Sequence, residues 1–313
     1  MEIQLTQQDG LLAFDDASTS HYLTWNPMVF HAEFHRICQQ IYQQMRPEPA
    51  YGQSALHKVG FDVIDQMVPA DEARGLSDIY AHEAIEQEGS ANTVITPSPK
   101  LKTDIINVIN NYLAGTEALI ESYLGCFFRV HHVDLMRSRP AEDLGHSYKW
   151  HRDFDPMSKI HILIYLTDCG PESPATEFMN LDDTRRCVDQ GYIFPAQTKR
   201  IDNIGSLFED GTAPIKTVRP ELKAGDATIF TPSRILHRGV MFDEDYRDLL
   251  VLNILPSLNP WDAEIDHLGT ERLFAPSDTL FFDPFTQFKP LIESADGIEV
   301  PIWAQHGYHF PLT

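Results

Sequence analysis

What the chain has little of narrows the field first. Its four cysteines, Cys38, Cys126, Cys169 and Cys187, form neither a CxxC pair nor a regular framework, which excludes a disulfide-stapled scaffold and makes a reducing cytoplasm the expected location. Glycines are sparse where phosphate loops need them: Gly205 and Gly211 fall into no dinucleotide or Walker pattern, so nucleotide chemistry is not expected. The longest aliphatic run is broken by His161 and falls far short of the roughly 20 residues of a membrane helix. The opening Met1 to Asp9 lacks the basic start and apolar centre of a signal peptide, so no export is expected. Positive charge is also scarce. Against 46 Asp and Glu stand 24 Lys and Arg, a formal charge of -22 with no basic block, which argues against nucleic-acid or anionic-membrane partners. Internal repeats and low-complexity tracts are missing too.

What is present describes a globular protein. A hydrophobic share of 42% with 11% aromatics supports a sizeable core without staples. At 313 residues two domains are conceivable, but barrels and sandwiches of about 200–250 residues commonly form one, and a single domain is expected. Residues 1–125 read as a mainly helical N-terminal support. Phe30, Phe34, Ile37, Ile41 and Met45 give a helical stripe over 27–45, ended by Pro47 and Pro49. Gly60–Asp65 reads as a short strand, Pro69–Glu72 opens a second helix with acids in its first turn, and Thr103 is the expected cap of a third. From Cys126 the period changes to that of strands, expected at 127–136, 158–167, 176–180, 226–231, 235–241 and 246–255. Short strands with turn signals between them point to a sandwich or barrel, so 126–256 is expected to be a jelly-roll core and the class α+β. The aperiodic insertion 181–223 is expected to form a lid or wall of a pocket. The extension 257–313, and Phe281–Thr313 in particular, is expected to pack over the sandwich.

The chemistry lies in two stretches. In Trp150-His151-Arg152-Asp153 a histidine and a carboxylate two apart on extended chain point to the same side. Downstream, after the turn-like Lys223–Asp226, stand His237-Arg238-Gly239 and, ten residues past His237, Arg247. In an antiparallel sandwich, strands distant in sequence lie opposite one another, so these four can converge. Two imidazoles and one carboxylate on one face of an octahedral ion leave the other positions open, the arrangement of non-haem Fe(II) oxygenases. An arginine adds a bidentate grip on a carboxylate. Arg234 and Arg238 are rival anchors, but each is close to His237 in sequence. His132, with Asp134, Met136 and Ser138 on the same alternation face, is a further candidate for the pocket wall, and only one of His131 and His132 can face inward.

These residues resemble the phytanoyl-CoA dioxygenase family of Fe(II)/2-oxoglutarate oxygenases. The resemblance is carried by Trp150–Asp153, the strand ending Ile164-Tyr165-Leu166-Thr167-Asp168, the Gly225-Asp226 turn before His237-Arg238-Gly239, and Arg247 beyond. It extends loosely over 60–255 and well over 145–250. It implies a double-stranded β-helix (jelly-roll, cupin-like) core with flanking N-terminal helices. It also implies His151, Asp153 and His237 as iron ligands and Arg247 as the 2-oxoglutarate anchor, with His161 and Thr176 as further polar residues on the cosubstrate side. Fe(II), 2-oxoglutarate and O2 are then the expected cofactors, and hydroxylation of a small organic molecule, with release of succinate and CO2, the expected activity. Halogenating relatives replace the carboxylate by a small residue, whereas Asp153 is present. One departure concerns the substrate side: Glu172–Asn180 stands where many members carry Asn-Gly-Pro and then Pro-Gly-Ser-His. The competing readings are a cupin-type metal enzyme without 2-oxoglutarate and a non-catalytic jelly-roll binding module. The sequence leaves the substrate and the oligomeric state open.

Overall fold

Ile160, Ile162 and Ile164 alternate with His161, Leu163 and Tyr165, and a strand sends the two sets to opposite faces. The whole architecture follows that division. The computed structural model of the chain describes residues 5–8, 11–14, 27–46, 54–83, 92–94, 96–140, 145–153, 155–170, 172–209, 211, 213–242 and 246–274. They form β1 (Leu5–Gln8), β2 (Leu11–Phe14), α1 (Pro27–Met45), α2 (Ala55–Lys58), β3 (Phe61–Ile64), α3 (Ala70–Glu83), β4 (Asn92–Val94), α4 (Pro99–Tyr112) and α5 (Glu117–Leu124). After these come β5 (Phe128–Ser138), β6 (Ile160–Tyr165), β7 (Ala175–Met179), α6 (Leu181–Asp189), β8 (Thr217–Val218), β9 (Ala227–Phe230), β10 (His237–Val240), β11 (Arg247–Pro256) and α7 (Trp261–Leu268). The class is mixed helix and sheet, with every strand pair antiparallel.

Six strands in the order β3-β9-β6-β11-β5-β4 make the main sheet, and β10-β7-β8 make a smaller one. On the outer face of the main sheet Ile160, Ile162, Ile164, Ile229, Leu250, Leu252 and Ile254 merge with Phe34 of α1, Leu76 and Tyr80 of α3, and Leu101 and Ile105 of α4 into one core. Burying this continuous apolar face is the dominant stabilising term, at about 25 cal/mol per Å² removed from water. On the inner face Leu163, Tyr165, Phe230, Leu249 and Val251 meet Phe178 of the small sheet. The two sheets therefore enclose a space of their own, separate from the helix-facing core.

The expected strands and the helix 27–45 appear within a few residues of their predicted limits. Two expectations change. Residues 1–125 do more than support: β3 and β4 are the two edge strands of the main sheet. Thr103 caps nothing; α4 starts earlier because Pro99 suits a first helical turn and the Ser98 hydroxyl accepts from the Leu101 N–H, while Thr103 Oγ1 donates to the Pro99 carbonyl. On β5, His131 falls at a bulge where the register with β11 slips between Asn253 and Ile254, and His132 rather than His131 faces inward, as expected. The expected packing of Phe281–Thr313 lies outside the described residues. No described helix is long and apolar enough to cross a membrane.

Candidate metal centre and cavity

His151 and His237 meet through their backbones. Each N–H donates to the other's carbonyl, at 3.1 and 2.9 Å, which makes an isolated antiparallel bridge between the start of the HxD stretch and the start of β10. Asp153 is fixed next to them by its N–H to the Pro232 carbonyl at 3.0 Å. Residues 181–223 clamp the same stretch from behind. Tyr192 Oη donates to the Trp150 carbonyl at 2.7 Å, Trp150 N–H donates to the Ile201 carbonyl at 3.0 Å, and the Arg152 guanidinium donates twice to the Ile193 carbonyl while lying over Phe194. None of the described residues of 181–223 lines the cavity described below; they form a buttress in place of the expected lid or wall.

The side chains of the three residues then converge. The imidazole rings of His151 and His237 lie 4.4 Å apart, with Nε2 atoms 3.6 and 3.8 Å from Asp153 Oδ1 and Oδ2 respectively. Those distances exceed a good hydrogen bond. Their Nδ1 atoms are occupied by carbonyls, Lys149 at 2.7 Å and Ile235 at 3.2 Å, so Nδ1 carries the proton and Nε2 presents a lone pair. Two lone pairs therefore face a carboxylate across a gap too long for hydrogen bonding, a donor set that fits a divalent cation between them. Burial, and then the nearby His237 and Arg200, hold the His151 imidazole well below its ordinary 6.5. His237 is likewise lowered, by burial first, with Arg200 adding and Asp153 opposing. Both are neutral, as metal ligation requires. A second grouping of Asp153, Asp155 and His161 shares Asp153, but Asp155 is already paired with Lys159 at 2.8 Å.

The triad opens into a cavity of about 880 Å³ between the two sheets, lined also by His161, Thr176, Phe230, Arg238 and Arg247. Arg247 is 4% exposed, donates from Nη1 to Thr176 Oγ1 at 2.9 Å and from Nη2 to Ser138 Oγ at 3.4 Å, and leaves Nε without a partner. Among the described residues it has no carboxylate. Nearby, the hydroxyls of Tyr165 and Thr228 are buried and unpartnered, and burial raises the Tyr165 phenol so that it remains a donor. The register fixes the spacing. Gly239 pairs with Thr176 and His237 with Phe178, so Thr176 stands two residues, about 7 Å, along β7 from the metal centre's partner.

The rival arginines are otherwise engaged. Arg238 binds Glu177 at 2.8 Å and lies over the Trp150 ring, and Arg234 contacts Tyr123. Gly239 matters by what it lacks: the Tyr148 ring would stand 2.9 Å from a Cβ there. Tyr148 thereby reaches the cavity wall and donates to Asn92 Oδ1. His161, on β6, is opposed by Asn253 and Phe230, and its Nε2 is buried without a partner. Sequence reasoning missed Tyr165, although its alternation with His161 and Leu163 was a usable signal. It also missed Arg200, which sits in an aperiodic segment and offered none.

No family model and no curated protein matches the chain. Among solved structures, the non-heme alpha ketoglutarate dependent epimerase SnoN from nogalamycin biosynthesis is similar at 16% identity and TM-score 0.44, over 64% of this chain and 80% of its own. HygX from Streptomyces hygroscopicus, solved with nickel and 2-oxoglutarate bound, is similar at 13% identity and TM-score 0.43, over 66% and 86%. EctD from S. alaskensis is similar at 15% identity and TM-score 0.44, over 64% and 74%.

Proposed function

We propose that the chain is a non-haem Fe(II)- and 2-oxoglutarate-dependent dioxygenase of the phytanoyl-CoA dioxygenase kind, with a jelly-roll core, that hydroxylates a small organic molecule. The observation that carries this reading is the pairing of two unlike poles in one cavity. One pole is a His-Asp-His donor set with its lone pairs converging, and the other a buried arginine without a counter-charge among the described residues. A buried, unpaired guanidinium is costly unless a ligand supplies the anion. A short dicarboxylate that chelates a metal at one end and meets Arg247 at the other answers both poles.

In this reading His151, Asp153 and His237 hold the iron, and their carbonyl-bound Nδ1 atoms keep both Nε2 lone pairs aimed at it. Arg247, Thr176 and Tyr165 receive the distal carboxylate of 2-oxoglutarate, with His161 on the same wall. When bound, iron and cosubstrate supply the oxidation, consuming O2 and releasing succinate and CO2. The remaining work belongs to the chain: the apolar inner rows of Leu163, Phe230, Leu249 and Val251 exclude water from the cavity floor, and the buttress behind Trp150 fixes the ligand geometry.

The test is anaerobic titration of the full chain with Fe(II), with and without 2-oxoglutarate, following the weak visible charge-transfer band. A band that needs both additions and vanishes in Asp153→Ala is the expected result. Tight iron binding with no band on adding 2-oxoglutarate would reassign the protein to oxo-acid-independent metal chemistry, and no iron binding would leave a binding module.

A further inference from the structure

The inner face of the main sheet carries a third polar position that neither the metal nor the cosubstrate uses. Across the register, His161 of β6 opposes Asn253 of β11, which opposes His132 of β5; one row along, Leu163 opposes Val251, which opposes Asp134. His132 Nε2 lies 2.8 Å from Asp134 Oδ1, and both residues line the cavity. His132 is 5% exposed with its Nδ1 buried and unpartnered, whereas the Asp134 side chain is 31% exposed. His132 Nε2 thus holds one carboxylate oxygen of Asp134. The dyad offers the cavity a positioned carboxylate whose second oxygen is left to accept.

Charge accounting gives the dyad its ligand. Among the described residues lining the cavity the carboxylates are Asp134 and Asp153, and Asp153 belongs to the donor set. Arg238 is neutralised by Glu177, and Arg247 faces the other end. The charge left for a primary substrate is therefore negative and local to β5, with apolar Val94, Pro97, Met136 and Val251 on the same cavity wall. A substrate acid would be repelled there, whereas a protonated nitrogen donates to the Asp134 carboxylate and gains a charge-assisted bond. The net charge of -22 enriches cations at the surface in the same sense.

We propose that the His132–Asp134 dyad is the recognition subsite for a protonated amine, so that the primary substrate is an amphiphilic organic amine. This deepens the oxygenase reading and rests on it. The His237 ring meets Phe230 edge-on, as does His161, and β5 lies two strand spacings, about 10 Å, from β6. The oxidised carbon is therefore several bonds from the nitrogen.

Three probes of equal shape separate the chemistry: 4-phenylbutylamine, 4-phenylbutanol and 4-phenylbutanoate, titrated at neutral pH into the full metal-free chain and followed by ligand-observed NMR. Wild type is expected to prefer the amine. Asp134→Asn should weaken amine binding by about tenfold or more while leaving the alcohol unchanged. Asp134→Lys should turn the preference toward the carboxylate. Equal binding of all three probes, no amine binding by wild type, or an amine affinity unchanged in Asp134→Asn overturns the proposal. The charge-transfer titration of Asp134→Asn keeps the two readings apart. A normal band with lost amine binding supports the subsite, whereas amine binding without any band in wild type would defeat the oxygenase reading and leave the subsite standing.

Discussion

Two arginines lie at the same end of the main sheet, one on each face, and they are treated in opposite ways. Arg137 points toward the helices, where Asp248 takes its Nε at 2.6 Å and its Nη2 at 2.5 Å, Ser77 donates to the same carboxylate at 2.6 Å, and Tyr80 and Tyr246 flank the guanidinium. Arg247, adjacent to Asp248 on β11, points inward and, among the described residues, meets hydroxyls alone. Alternation makes the difference possible, since consecutive residues of one strand serve two environments. The outer pair is complete, so its charge contributes to the fold. The inner charge is left incomplete among the described residues, which costs stability.

Breaking the outer pair should therefore have the largest effect on stability. Asp248→Ala strands Arg137 in a buried site, and the expected loss is about 3–5 kcal/mol in urea unfolding. Arg247→Ala should cost little or nothing in the same assay, because it removes an unpaired charge. Its effect should instead appear as a rise of about 30-fold or more in the 2-oxoglutarate needed to develop the charge-transfer band, from a lost contact of about 2 kcal/mol or more. If the two variants unfold alike, the contrast between a structural and a reserved charge is lost.

A finer cut uses Tyr165, whose hydroxyl is buried near Arg247 without a partner. Tyr165→Phe should leave the ligand-free protein as stable or slightly more so, since no hydrogen bond is given up. Cosubstrate binding should weaken by about 0.5–1.5 kcal/mol, the net worth of one hydrogen bond. A variant that loses stability and binds 2-oxoglutarate normally would show that the hydroxyl serves the fold.

The contrast also marks what could be read from the residues. His151, Asp153, His237 and Arg247 were legible because each is a polar residue at a strand-like spacing beside an apolar run, and the sheet brings them into one cavity. Thr176 was legible more weakly, as a polar residue that the resemblance placed on the cosubstrate side, and the structure puts its hydroxyl against Arg247. The edge strand β4 was not, because Asn92–Val94 is three residues long and takes its order from pairing with β5. Nor was the buttress. Arg152, Tyr192 and Ile201 are joined through backbone carbonyls, which leave no trace in side-chain periodicity. The bulge at His131 was equally hidden, whereas the shared face of His132 and Asp134 followed from alternation.

The smallest effect concerns protons at the metal end, and its sign follows from burial. His151 and His237 have folded-state pKa values below the ordinary 6.5, so between those lowered values and 6.5 the unfolded chain binds more protons than the folded one. Stability then rises with pH through this window: the contribution is fully present above 6.5 and is lost as the pH falls below it. For the metal-free protein each of the two histidines should cost several tenths of a kcal/mol on going from pH 6.5 to 6.0. His237→Gln should remove one histidine's share of that slope in urea unfolding, whereas Arg247→Ala should keep it. A slope of the opposite sign would mean that the imidazoles are charged in the folded state, which would remove the lone pairs that the metal reading requires.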